Sequence, residues 1–361
     1  MDRYPKRDDL RELSGFHSPQ VSVKVRLNTN ESPIAPPREF IDAVAAAVRD
    51  VQWNRYPDRN ATALRQDIAT LHSVSADNVF VANGSNEVLQ SLLLAYSGAG
   101  RKVVTFEPTY QLHSHIARIA GATVVSGRRN ADFTLDPDEV RRTCKQHSPS
   151  VTFLCSPNNP TGLAESQESV HAAVESTPGI VLVDEAYAQF SPHTALSLVR
   201  EDARVAVSRT YSKTWSMAAA RLGYLIAPKW IVADLEIVAL PYRLDALKQA
   251  AGRAALRYVS HMEQAVRDVV AQRERLIAAM SKMPLTVWPS QANFILFRPN
   301  TVAEKRTSGR ALWQALLDQS VLVRDCSSWD GLTDCLRVTV GTAAENDAFL
   351  SALQTALQAR D

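Results

Sequence analysis

Through the first two-thirds of this chain, short apolar runs alternate with helix-length amphipathic stretches, and no other feature limits its fold as strongly. Runs at 78–81, 102–106, 122–126, 150–154, 180–183, 205–208 and 223–227 are rich in Val, Ile, Leu, Ala and Phe. They have strand length and are too evenly apolar for strands wetted on one face. Between them, stretches such as 63–71, 87–96 and 110–120 place apolar residues at helical spacing, as does 39–51. This alternation predicts βα units and a mostly parallel sheet covered on both faces, an α/β architecture. Sites in such sheets lie beyond the carboxyl ends of the strands, so the residues after each run carry the functional argument.

The texture changes near residue 247. A long helical stretch runs to residue 280, followed by strand-like segments at 293–297, 321–324 and 335–340 and a terminal helix at 345–357. This predicts a smaller α+β domain over 247–361. A large domain precedes it over 46–246, and an irregular, Pro-broken segment at 1–45 joins the small one. The length of 361 residues suits such a division. With 40 basic and 38 acidic residues, interspersed, the near-neutral balance gives no reason to expect nucleic acid or an anionic membrane as partner. Cys144, Cys155, Cys326 and Cys335 form no C-x-x-C pair and no zinc spacing, which points to reduced thiols in the cytoplasm and no metal site. Cys155, inside an apolar run, reads as core. The charged N-terminus has no apolar signal-like region, and no stretch approaches the roughly 20 apolar residues of a membrane span.

Several runs end in residues with chemistry. After 78–81 comes Ala82-Asn83-Gly84-Ser85-Asn86-Glu87 at a helix start, which fits either a plain N-cap or a phosphate held by helix-end amides. After 150–154 comes Ser156-Pro157-Asn158-Asn159-Pro160-Thr161-Gly162. After 180–183 comes Asp184-Glu185-Ala186-Tyr187; an acid at the top of a buried strand reads either as a cap or salt-bridge member or as the partner of a cationic or donor group in a site. After 205–208 comes Arg209-Thr210-Tyr211-Ser212-Lys213. A lysine there is either solvated or an amine whose pKa burial lowers for Schiff-base chemistry. Arg221 reads either as a surface ion pair or as a fork for an anion.

Together these segments resemble fold type I pyridoxal-phosphate aminotransferases, and more narrowly the histidinol-phosphate aminotransferase family. Further matching segments are Leu27-Asn28-Thr29-Asn30-Glu31-Ser32-Pro33, Arg55-Tyr56-Pro57-Asp58, Pro108-Thr109-Tyr110, Arg221-Leu222-Gly223-Tyr224, Leu240-Pro241-Tyr242-Arg243, Asn293-Phe294 and Leu336-Arg337-Val338-Thr339-Val340-Gly341-Thr342. They stand in family order from about residue 27 to residue 342. The resemblance implies a seven-stranded-type sheet and a pyridoxal 5'-phosphate cofactor joined to Lys213. It implies that Asp184 pairs with the pyridine nitrogen, that Tyr187 and Asn159 bond the ring's phenolic oxygen, and that Tyr110 stacks on the ring. Ser85, Asn86, Thr210, Ser212 and Arg221 would hold the phosphate, with Tyr56 reaching across a homodimer to the neighbour's. Arg324, Arg337 and Asn30 would meet the substrate.

The activity implied is transfer of the amino group of L-histidinol phosphate to 2-oxoglutarate in histidine biosynthesis. An aromatic or other amino-acid aminotransferase, or an amino-acid-phosphate decarboxylase, stays open on the same scaffold. A non-catalytic binding relative is the reading from another class; the presence of Lys213 speaks against it. No G-x-x-x-x-G-K-[ST] or G-x-G-x-x-G motif supports nucleotide binding. Two departures bear on substrate. Thr214-Trp215-Ser216-Met217-Ala218-Ala219-Ala220 stands where relatives carry a Gly-Leu pair before the arginine. Phe16 and His17 stand near the place where many relatives have a tyrosine.

Overall fold

A computed structural model describes residues 4, 6–11, 13–15, 20–300 and 308–358; Phe16 and His17 therefore lie outside the described residues. Two sheets organise the chain. Strand β1 (Val25–Leu27) belongs to the second of them. The larger sheet is built from β2 (Val79–Ala82), β3 (Lys102–Glu107), β4 (Thr123–Arg128), β5 (Val151–Cys155), β6 (Ile180–Asp184), β7 (Val205–Thr210) and β8 (Gly223–Ile226). Its seven strands run in the order β2-β8-β7-β6-β5-β3-β4. All pairings are parallel except the two made by β8, which runs against both β2 and β7. Strands β2, β5, β6, β7 and β8 are buried at every position, which is why their sequences are apolar without alternation. Separate apolar clusters cover the two faces, one including Leu89, Leu92 and Leu182, the other Val104, Leu154 and Val183.

The helices between strands start where the local chemistry dictates. Asp136 accepts from the Asp138 amide, and Pro137 opens the helix Pro137–His147. Ser166 caps Gln167–Ser176 through the Ser169 amide. Lys229–Val238 packs against Ser85–Tyr96 on one face of the sheet.

The second sheet has the order β1-β11-β12-β10-β9, with β9 (Leu285–Val287), β10 (Phe294–Pro299), β11 (Val321–Asp325) and β12 (Leu336–Thr339). The segment before residue 37, expected to be irregular and extended, contributes a regular strand: β1 pairs in parallel with β11. Three residues carry too little pattern to be read as a strand, and the pairing partner lies nearly three hundred residues away. The long helical stretch expected to reach residue 280 is two helices, Ala246–Ala255 and Val259–Met280, joined by a 3-10 turn at Leu256–Tyr258. Both halves present apolar residues at one helical spacing, so sequence periodicity runs through the junction. Among the described residues no helix is long and apolar enough to cross a membrane.

Candidate active site

One cavity of about 170 Å³ is walled by the strand ends of the large sheet on one side and by the segment 28–30, β11 and β12 on the other. Asp184, the last residue of β6, stands at its base and is 2% exposed. Its Oδ1 accepts from Ser208 Oγ at 3.1 Å and from the Ala186 amide at 3.2 Å. Its Oδ2 lies 3.0 Å from His113 Nε2. A buried carboxylate is tolerated only when donors surround it, and this one has three. His113 is wholly buried, stacked on Phe153 at 4.6 Å between centroids and edge-on to Tyr110 at 5.4 Å.

Lys213 follows β7 through a bent segment rather than opening a helix; the next regular turn is the 3-10 piece Ala218–Ala220. Its Nζ donates to the Thr29 carbonyl at 2.9 Å. Burial, with the cations Arg337 and Arg221 nearby, pulls the amine down to about 7. An amine so placed is largely neutral just above neutral pH and nucleophilic there.

Another corner of the cavity suits an anion. The helix Ser85–Tyr96 begins after Gly84 with no side-chain cap, so its first amides stay available, and Ser85 is not the cap that one reading of the sequence proposed. Gly84 has φ +81°, and a Cβ there would lie 2.7 Å from Arg221 Nη2. A Cβ on Gly223 would come within 2.3 Å of the Ser85 amide nitrogen, so β8 closes onto the helix start only because the residue is glycine. Arg221 Nη1 donates to Ser212 Oγ at 3.3 Å, and Thr210 and Asn86 line the same wall. Arg221 joins no ion pair among the described residues, against the surface salt bridge that its sequence context also allowed.

Tyr187 Oη accepts from Asn30 Nδ2 at 3.0 Å. Burial pushes the phenol up to about 12, with Arg337 and Asn30 opposing, so it stays protonated as a donor. Asn30 sits at φ 54°, a left-handed conformation that Asn tolerates, and bonds Thr339 and Asn293 as well. Tyr110 Oη donates to Asn86 Oδ1 at 3.3 Å. Arg337, on β12 and 5% exposed, donates to Asn159 Oδ1 and, at 2.9 Å, to the Asn28 carbonyl. Its Nε is buried without a hydrogen-bond partner among the described residues. Arg324 stands beside it, directly opposite in the β11–β12 register.

The model of the family described as aminotransferase class I and II matches residues 22–353. The chain belongs to this aminotransferase family. It is 46% identical to a histidinol-phosphate aminotransferase of Thermobifida fusca, over 99% of this chain and 96% of the relative. A protein of the same name in Frankia casuarinae is 45% identical over 98% of this chain and 90% of the relative. Among solved structures, histidinol-phosphate aminotransferase from Sinorhizobium meliloti in complex with pyridoxal-5'-phosphate superposes with a TM-score of 0.88 at 23% identity, covering 98% of this chain and 97% of that one.

Of the site residues that the aminotransferase resemblance pointed to, the cavity gathers Asn30, Ser85, Asn86, Tyr110, Asn159, Asp184, Tyr187, Thr210, Ser212, Lys213, Arg221, Arg324 and Arg337. Tyr56 stands apart: it is 80% exposed and stacked on Tyr242 at 4.4 Å between centroids. Cys155 also borders the cavity, but burial holds its thiol well above the usual range, in keeping with its reading as core. Sequence reasoning passed over His113 and Trp329. His113 lies three residues after Tyr110, one helical turn on, which was the available signal; Trp329 lies in a connection that carries no motif. The Thr214–Ala220 departure turns away from the cavity: Trp215 and Met217 pack with Tyr211 in the core. Ser216 Oγ lies 2.9 Å from Ser32 Oγ.

Proposed function

We propose that this aminotransferase transfers the amino group of L-histidinol phosphate to 2-oxoglutarate, using pyridoxal 5'-phosphate held in the cavity described above. One observation carries the reading. A depressed amine at Lys213, an acid at Asp184 and an uncapped helix end beside Arg221 face one cavity that two arginines also line. The substrate is supported by relatives of that name at 42–46% identity over nearly the whole chain. The fit of the residues to the cofactor is chemical. Asp184 suits a protonated pyridine nitrogen. The Ser85–Asn86 helix end with Thr210, Ser212 and Arg221 suits the phosphate, and the Tyr110 ring suits the heterocycle face. Tyr187 and the Asn159 amide are donors for the ring's phenolic oxygen.

When bound, the cofactor supplies a carbonyl carbon that takes up the amino group and a ring that withdraws electrons from the reacting bond. The chain's own residues do the rest. Lys213 Nζ removes the proton from the amino-bearing carbon of the donor and later returns one to the corresponding carbon of the acceptor. Asp184, held by Ser208, the Ala186 amide and His113, keeps its charge aimed at one point. Arg337 and Arg324 grip the anionic end, and a guanidinium fork accepts phosphate and carboxylate alike, as a two-substrate cycle demands. Asn30 ties Tyr187 to β12 and so fixes the substrate-side wall.

The same reading makes the enzyme a cytoplasmic homodimer in which Tyr56 reaches the partner's phosphate corner. It divides the chain into a large domain at 46–246 and a small one at 247–361 joined by 1–45. The test is a panel of amino donors with 2-oxoglutarate as acceptor, run on holoenzyme whose visible chromophore is absent from Lys213→Ala. Turnover of histidinol phosphate above other donors is expected. Inert histidinol phosphate with active phenylalanine, or carbon dioxide release in place of amino transfer, overturns it.

A further inference from the structure

The connection between β11 and β12 is folded tightly onto itself. Backbone bonds run from the Cys326 amide to the Cys335 carbonyl at 3.0 Å, from Trp329 to Cys326 at 2.9 Å, from Leu332 to Trp329 at 3.1 Å and from Cys335 to Leu332 at 2.9 Å. Gly331, at φ +72°, brings the connection against the large sheet's side of the cleft; a Cβ there would lie 3.7 Å from Pro108 Cδ, two residues before Tyr110. Trp329 is thereby held in an apolar cluster with Phe133, Leu296 and Leu332. It is 8% exposed, and it borders the catalytic cavity together with Arg324 and Arg337. The Arg324 guanidinium carbon stands 5.7 Å from the centre of its ring. A cation and a rigid aromatic surface therefore stand side by side in the lining of the cavity that also holds Lys213 and Asp184.

We infer that Trp329 is a specificity-determining residue that packs against the planar ring of the amino donor while Arg324 takes its anionic group. The inference rests on the histidinol-phosphate reading and deepens it. The two half-reactions differ in one respect that an indole detects: the phosphate donor carries an imidazole, whereas 2-oxoglutarate and the glutamate formed from it carry no ring. Flat rings gain from packing on one another beyond the area they bury, and an aliphatic chain gains much less. Trp329 accordingly separates the two half-reactions, favouring the ring-bearing donor and leaving the dicarboxylates almost untouched.

The experiment compares holoenzyme with Trp329→Leu and Trp329→Phe. It measures KM and kcat for histidinol phosphate and, separately, for glutamate, with calorimetric titration of histidinol phosphate as a readout independent of turnover. For the leucine variant, KM and Kd for histidinol phosphate should rise about five- to tenfold with kcat little changed. Its KM for glutamate should move less than about twofold, and phenylalanine should restore most of the loss. Equal losses for both donors, no loss for either, or a phenylalanine variant as weak as the leucine one would each overturn the inference. Wild-type holoenzyme that transaminates glutamate yet neither binds nor turns over histidinol phosphate would instead sink the functional reading and this inference with it.

Discussion

Lys213 weakens the cofactor-free protein, and replacing it with a neutral side chain of similar length should strengthen the fold. Burial beside Arg337 and Arg221 lowers the amine from 10.5 to about 7. A group that binds its proton more weakly when folded opposes folding wherever the unfolded chain would hold that proton. The penalty is complete below about pH 7, shrinks as pH rises toward 10.5, and vanishes above that value. The difference between 10.5 and about 7, at about 1.36 kcal/mol per pH unit, sets an upper figure of about 5 kcal/mol. Lys213→Met also loses the bond to the Thr29 carbonyl, about 1 kcal/mol. Partial access through the cavity trims the figure further. A net gain of about 2 to 4 kcal/mol at pH 6 is expected, falling to a loss of about 1 kcal/mol near pH 10.5. Denaturant unfolding of cofactor-free wild type and Lys213→Met at pH 6, 8 and 10 measures the difference directly. A difference that stays constant with pH would refute the argument, because it would mean that the amine keeps its ordinary affinity for protons inside the fold.

Three further outcomes follow from the same geometry. Asp184→Asn keeps the shape but removes the charge that Ser208, Ala186 and His113 orient, so kcat should fall by about 100-fold or more, with the chromophore's absorbance shifted. A near-normal kcat would exclude Asp184 from the chemistry. Arg337→Ala should raise KM for both anionic substrates by about 30-fold or more, since a buried charge pair lost from one side costs about 2–5 kcal/mol; calorimetric binding of each substrate checks it. Tyr56, 80% exposed in a single chain, should become protected from hydrogen exchange and chemical modification if it sits in a homodimer. Sedimentation as a monomer, with Tyr56 freely modified in holoenzyme, would remove it from the site.

Fold and site were legible to different degrees. The buried strands were readable because being covered on both faces demands uninterrupted Val, Ile, Leu and Phe, a pattern that needs no knowledge of neighbours. Strand β1 was not, since three residues gain their conformation from β11 far along the chain. Lys213, Asp184 and Tyr187 stood out because Asp184 ends, and the other two follow, a strand whose carboxyl end opens on the cavity. His113 did not, since its meaning comes from β6 beneath it: a histidine on an amphipathic helix is ordinary until a carboxylate lies 3.0 Å away.

Local chemistry alone marked which residues to propose for the site, because a lysine, an acid and a hydroxyl run after apolar strands keep that character wherever the strands go. The tertiary structure decided what they can do. It set β7 beside β6, bringing Ser208 onto Asp184, and it buried the Lys213 amine near Arg337 of β12 and Arg221 before β8, so that burial first and the two cations second depress it. It also seated Trp329 against Arg324. Proton affinity and recognition depend on distance and on exclusion of water, and both arise only when segments remote in the chain are packed together.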